Sequence, residues 1–392
     1  MNTEVKEQRC SRKYDVLLLG ATGYTGSLTA EYIVRHLPTN LKWAVAGRSK
    51  SKLETLAEKL KGLDPERLHQ EIEVVSFDDH GQLDPIIKDS KVCISVVLYW
   101  RVGEVVVKSC IKNGTDYIDV AGDIPLLRTF INKYHEAAVN AHVALIHLCG
   151  VFAGTRALTQ RTSQRTKEVI ISITELSLSP SGGTVDSLMA ENAYDPQVIR
   201  QAKQPWVLSP IEGVQTSMST NFLGMRQDPV LGLLSASSLS ADENRALVHR
   251  TWGLFRGSDQ DYGPNFHMLN TAFLNPIAKL SFLRIIAKPF LPAPGEGPDV
   301  EKERHSRVKF EAVAVAESNG DSEPPRAYAS FSYPSSGYHT TALFLAQGAA
   351  SLLYSRNLGG HTVGGCLTPA FLGDDLLSSV QAAGASVSVN LV

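Results

Sequence analysis

Residues 15–50 read DVLLLGATGYTGSLTAEYIVRHLPTNLKWAVAGRSK. An apolar run at 16–19 passes through Gly20-Ala21-Thr22-Gly23-Tyr24-Thr25-Gly26 into a helical pattern, which gives the order strand, glycine turn, helix. Apolar residues without alternation fit a strand buried on both faces of a parallel sheet. Gly20 can take the backbone angles of a sharp exit, Gly23 lets main chain approach a diphosphate, and Gly26 lets the helix lie close to the sheet. Thr22 and Thr25 put hydroxyls at a helix N-terminus, where unpaired N–H groups and the helix dipole favour an anion. With Tyr24, these residues form the expected phosphate-binding turn.

A second apolar strand, 43–46, ends in Gly47-Arg48-Ser49-Lys50, where folds that prefer NAD place an acidic residue for the ribose hydroxyls. Here the turn is basic. Arg48 offers a planar fork and Lys50 a point charge for a 2′-phosphate, so NADP(H) is the expected cofactor. Ser49 reads as the N-cap of the next helix, with leucines at 53, 56 and 60. A third strand leads to Asp78, placed for the adenine end of the cofactor, and Asp79. A fourth, 91–98, carries Val97, Leu98, Tyr99 and Trp100 at its carboxyl end, beside the nicotinamide position of a doubly wound sheet. A fifth strand from 116, a helix over 124–140 and a sixth strand near 143–150 complete the alternation of a parallel α/β domain.

After residue 151 the pattern changes. Residues 167–178 alternate as a half-buried strand, Ser181-Gly182-Gly183-Thr184 opens a helix, and 307–317 and 326–333 read as further strands before a helix over 340–354. Residues 200–265, rich in Ser, Gly, Pro and Gln, read as irregular loops with short helices. The fold class expected is α/β: a Rossmann doubly wound parallel sheet plus a second α/β substrate domain on a mixed or antiparallel sheet. The segmentation expected is a disordered lead-in over 1–13, a dinucleotide domain over 14–150, a substrate and dimerisation domain over 151–360, and a C-terminal helix over 361–392 packing back on the first domain.

Composition narrows the function. Among 392 residues the formal net charge is −2 and no basic block occurs, which argues against nucleic acid as a partner. Five cysteines form no close pair and the histidines are scattered, so neither a disulfide framework nor a metal site is expected, and a reducing, cytoplasmic setting follows. The first residues are polar and charged, unlike a secretory signal. Residues 268–291 are apolar but interrupted by Lys279, Arg284 and Lys288, which suits either a helix over a greasy substrate channel or a peripheral membrane contact.

Seven blocks then align with one family: the glycine turn 20–26, Ala46-Gly47-Arg48, Gly103-Glu104, the run Gly114 to Asp119, Ser181 to Thr184, Pro294 to Gly297 and Gly364 to Pro369. In this order the chain resembles the saccharopine dehydrogenase-like oxidoreductases, and within them the trans-acting enoyl reductases of polyketide and lipid pathways. The resemblance implies an NADP(H)-binding Rossmann domain, a second domain with a lipophilic substrate pocket and often a homodimer contact, and a C-terminal helix returning to the first domain. Members usually carry Gly-Pro-Tyr where this chain has Val97-Leu98-Tyr99, and an Asp-Ser pair where it has Phe152-Ala153.

No tyrosine has a lysine four residues on, so the short-chain dehydrogenase pair is absent, as are nucleophile elbows and Walker lysines. For an enoyl reductase, Tyr99 is the expected proton donor, Asp123 and Thr184 orient substrate, and Trp100, Phe152 and Ser181 line its pocket. Arg101 is expected to pair with Glu104. The altered nicotinamide end admits two other readings: a cyclase or isomerase without net redox change, and a lipid-associated binding protein.

Overall fold

The computed structural model describes residues 11–77, 79–150, 165–176, 179–191, 193–214, 221–222, 225–235, 241–272, 292–293, 295–303, 305–317, 323–356, 358 and 364–392. The first sheet alternates strictly: β1 (Tyr14–Leu19), α1 (Tyr24–His36), β2 (Trp43–Gly47), α2 (Lys50–Leu63), β3 (Glu71–Val74), α3 (His80–Lys88), β4 (Ser90–Ser95), α4 (Glu104–Asn113), β5 (Asp116–Asp119), α5 (Ile124–Asn140) and β6 (Ala144–Ile146). Beyond it come β7 (Thr166–Glu175), α6 (Gly182–Glu191), α7 (Pro196–Ala202), β8 (Met225–Asp228), β9 (Gly232–Ser235), α8 (Ala241–Phe255) and β10 (His267–Ala272). The chain ends with α9 (Val300–Glu303), β11 (Val308–Ala316), β12 (Arg326–Tyr333), α10 (Gly337–Tyr354), β13 (Gly365–Leu367), α11 (Gly373–Ala382) and β14 (Ser386–Leu391).

Seven strands in the order β13-β6-β5-β4-β1-β2-β3, all parallel, form the Rossmann sheet. Its strands read as unbroken apolar runs because both faces are covered. Val16 and Leu18 face a core built with α1 and α2, whereas Leu17 and Leu19 face one built with α3, α4 and α5. The second sheet, β14-β12-β11-β7-β10-β9-β8, is mixed, with β10 parallel to β7 and its other pairs antiparallel. Ser49 caps α2 as its sequence position predicts, accepting from Lys52 N at 3.4 Å.

Several elements differ from expectation. The tract 200–265 holds the fifteen-residue helix α8, whose Ala246, Leu247, Val248, Trp252 and Phe255 are buried, and the β8–β9 hairpin; abundant small polar residues masked these elements. The apolar stretch from 268 begins within the strand β10 and not as a helix; residues 273–291 lie outside the described residues. Arg12, placed in the lead-in, donates to Ser90 O and Asn113 O at 2.6 Å each and to Thr115 Oγ1 at 2.9 Å, so this end is fixed to β4 and α4.

The C-terminal stretch does more than return a helix. β13 extends the first sheet and β14 the second, and α10, assigned by pattern to the second domain, lies along α1 against β4 and β5. A Cβ at Gly348 would stand 2.6 Å from Ile118 Cδ1, so the helix approaches the sheet where only glycine fits, and Gln347 Nε2 donates to Tyr32 OH at 3.0 Å. No described helix is long and apolar enough to cross a membrane.

The tightest contact is at the start of α1, where a Cβ on Gly26 would meet Gly20 O at 2.2 Å. Gly26→Ala therefore forces α1 away from β1; it is expected to cost about 1–3 kcal/mol in urea denaturation and to weaken NADPH binding in a fluorescence titration. Wild-type stability and affinity would mean that this approach is not required.

Candidate functional site

The exits of β1, β2 and β4 are tied into one edge. Gly20 holds φ +82°, and the amides of Gly20 and Ala21 both donate to Ala46 O, at 3.0 and 3.3 Å, while Val96 N donates to Leu19 O at 3.1 Å. Gly23 N donates to Gly20 O at 3.0 Å and is the N-cap of α1, with no side-chain hydrogen bond capping the helix. The first amides of α1 are thus left to an anion, as a dinucleotide diphosphate requires. Thr22 Oγ1 leans over the end of β2, 3.6 Å from where a Cβ on Gly47 would stand, and Thr25 sits one residue into the helix. Past β2, Arg48 and Lys50 are exposed, and Lys50 pairs with Glu54 at 3.8 Å. This basic exit fits a 2′-phosphate. Asp78 lies outside the described residues.

At the other end of the crevice Val97 Cγ1 flanks the glycine turn, 3.2 Å from a Cβ built on Gly20, and Leu98 is half-buried beside it. Tyr99 opens a π-helical turn, Tyr99–Gly103, of the sort that often marks functional sites. Its ring lies on Phe130 at 4.8 Å and its hydroxyl is buried with no hydrogen-bond partner among the described residues. Burial, followed by the charges of Asp119, Cys366 and Asp123, pushes this phenol well above its ordinary pKa, so it holds its proton. Trp100, one residue on, is 41% exposed, and Leu188 and Met189 of α6, which packs on this turn, are 42% and 43% exposed. Glu104 engages Lys133 and Lys108, at 3.3 and 3.4 Å, and Tyr134, so the expected pairing with Arg101 gives way to other partners.

The remaining sequence-derived candidates fall into two groups. Asp123 is the N-cap of α5: one carboxylate oxygen accepts from Leu126 N at 2.9 Å and the other from Tyr194 OH at 2.9 Å, with burial raising its pKa. These contacts are those of a cap that also joins α5 to Tyr194. Ser181 and Thr184 belong to an inter-domain junction. Tyr338 OH accepts from Ser181 N at 2.6 Å and lies 2.7 Å from Thr184 Oγ1, while its ring packs edge-on against Tyr24 at 5.0 Å. Tyr24 OH donates to Pro298 O at 2.9 Å, a Cβ on Gly297 would meet its ring at 2.4 Å, and Gly182 N donates to Glu296 O at 2.9 Å. Tyr24 thus ties the start of α1 to Pro298 and to Tyr338 of α10. Phe152 lies outside the described residues.

The structure adds two residues that pattern did not select. Asp119, the last residue of β5, accepts from Ala121 N and Leu148 N at 3.2 and 3.1 Å through one oxygen, and its other oxygen is 2.8 Å from His147 Nδ1. Both side chains are 2% exposed, and Leu148 is held at φ +56°. The signal was positional: each residue ends, or directly follows, a strand on the carboxyl edge of the sheet. No group of metal-ligating side chains gathers among the described residues.

Residues 16–146 match the saccharopine dehydrogenase NADP binding domain. Over nearly its whole length the chain is similar to curated trans-acting enoyl reductases. It is 26% identical over 421 residues to a trans-acting enoyl reductase of Mycobacterium tuberculosis, covering 95% of this chain and 97% of the relative. It is 24% identical over 421 residues to the trans-acting enoyl reductase of Mycobacterium ulcerans, covering 96% and 98%. Saccharopine dehydrogenase (L-Glu forming) from Saccharomyces cerevisiae shares the fold, with a TM-score of 0.53 at 15% identity over 96% of this chain and 99% of that one. The region matched by that domain thus binds NADP(H), and the glycine turn with its uncapped helix suits that cofactor.

Arg48→Asp is expected to weaken NADPH binding by at least about tenfold, the order of one charge-assisted phosphate contact, and to leave NADH binding nearly unchanged. Equal loss for both nucleotides, or none, would remove Arg48 from the 2′-phosphate site.

Proposed function

We propose that this chain is an NADP(H)-dependent enoyl reductase acting on a lipophilic acyl or polyketide-type intermediate. The observation that carries the reading is the end-to-end match to two proteins named as trans-acting enoyl reductases. The site agrees in its parts: a basic, uncapped phosphate end, a phenol that keeps its proton at the opposite end, and an apolar mouth of Trp100, Leu188 and Met189.

When bound, NADPH supplies a hydride to the β-carbon of a conjugated carbonyl. The glycine turn and the N-terminus of α1 hold the diphosphate, and Arg48 with Lys50 select the phosphorylated ribose. Val97 and Leu98 form an apolar wall beside the turn, where they keep water from the reacting carbons. The enolate left on the substrate needs a proton, and Tyr99 gives it: O–H breaks, C–H forms, and a phenolate remains. A phenol held well above its usual pKa is protonated at every working pH, which suits a donor. Thr184 and Ser181, locked to Tyr338, fix the distance between the two domains and so the depth of the cleft. Neither the cyclase nor the lipid-binding reading gains an observation in its favour.

Tyr99→Phe removes the donor and keeps the ring on Phe130. Turnover with NADPH and an enoyl thioester should fall at least about tenfold with little change in KM for either substrate; an undiminished kcat would show that another group supplies the proton.

A further inference from the structure

We infer that His147, clamped by Asp119, is the positioning group that returns a proton to Tyr99 after each turnover. This rests on the reading of Tyr99 as donor. Three buried polar side chains lie near one another at the ends of β4, β5 and β6: Tyr99, whose OH has no hydrogen-bond partner among the described residues, Tyr117, whose OH has a weak contact with Ser95, and His147, whose ring also touches the Cys366 thiol of β13. The His147 ring lies 6.3 Å from that of Tyr99 and 5.7 Å from that of Tyr117, centroid to centroid. An unpaired buried hydroxyl is destabilising, so Tyr99 OH left without a partner beside a buried, carboxylate-clamped imidazole marks a task other than packing. The 2.8 Å contact with Asp119 fixes the ring and commits Nδ1 as its donor, leaving Nε2 as the nitrogen that can release a proton.

The surroundings hold a proton there. Burial works against the imidazolium, but the Asp119 carboxylate and the Cys366 thiol outweigh it and raise His147 to about 9. Cys366 of β13 feels burial pushing it up, yet His135, His147 and Arg250 bring it down to about 7. The groups facing the cluster are therefore Asp119 and Tyr117 from β5, Tyr99 from the turn after β4, Cys366 from β13, His135 and Asp123 from α5 and its cap, and Arg250 from α8. In the resupply step the Nε2–H bond of the imidazolium breaks and the proton passes through one bridging water to the Tyr99 phenolate. Neutral His147 keeps Nδ1–H on Asp119 and takes its next proton from solvent, so each cycle consumes one hydride from NADPH and one proton from water. His147 carries its proton below pH about 9 and loses it above, and turnover should follow.

The test compares wild type and His147→Gln, whose amide can still donate to Asp119, in NADPH oxidation with a crotonyl thioester across pH 6–10. Wild-type kcat is expected to stay level and then fall near pH 9, whereas His147→Gln should lower kcat at least about tenfold, keep KM and NADPH affinity, and lack the alkaline fall. An alkaline fall that persists in His147→Gln overturns the inference. A second readout needs no substrate: histidine labelled with nitrogen-15 should show His147 doubly protonated at pH 7.5 and titrating near 9, with the midpoint lowered in Asp119→Asn. A neutral His147 at pH 7.5 overturns the inference even if Tyr99→Phe is slow. Wild type that oxidises no NADPH with any enoyl thioester overturns the reductase reading instead, and the nitrogen-15 titration still decides whether His147 holds the proton.

Discussion

Helix α1 can lie on the exit of β1 only because residue 26 has no side chain. A Cβ there would stand 2.2 Å from Gly20 O and 2.8 Å from Ala21 Cα, distances that no other residue survives without moving backbone. That approach fixes where the first amides of α1 point. It also brings the turn under Ala46 O and Val97, so the ends of β1, β2 and β4 form one continuous edge. The phosphate end of the site, the basic exit of β2 and the Tyr99 turn all take their places from this single contact.

The second constraint is how the two sheets are joined. β13 enters the parallel sheet and β14 the mixed one, and α10 lies along α1 between them, so the last fifty or so residues stitch the domains together at several points. Tyr24 sits at the centre of this seam. Its hydroxyl is taken by Pro298 O and its ring by Tyr338, which in turn holds Ser181 and Thr184. Tyr24, Ser181 and Thr184, which read as cofactor or substrate ligands from their motif spacing, thus also bond across this seam.

What was legible in the sequence follows physical rules of short range. The strand–turn–helix at 15–50 announced itself because apolar runs, three glycines and an N-cap serine are each local signals, and the structure places all of them as read. Helix α8 was missed because its buried residues are interleaved with Asn244, His249, Arg250 and Thr251, polar side chains that are themselves buried and bonded, so no clean apolar stripe appears. Asp119 and His147 were overlooked for a related reason: they are 28 residues apart, and only the parallel pairing of β5 with β6 makes them neighbours. Asp123 shows that a carboxylate after a strand also serves as a helix cap, with one oxygen accepting from Leu126 N and the other from Tyr194 OH.

The most direct measurement for the account as a whole is isotopic. NADPH carrying deuterium at the transferring position of the nicotinamide, incubated with the protein and an α,β-unsaturated acyl thioester, should yield a saturated product one mass unit heavier, labelled at the β-carbon, with one equivalent of cofactor oxidised. Product formed without label and without cofactor oxidation would contradict the account and leave the crevice as the site of a reaction with no net redox change.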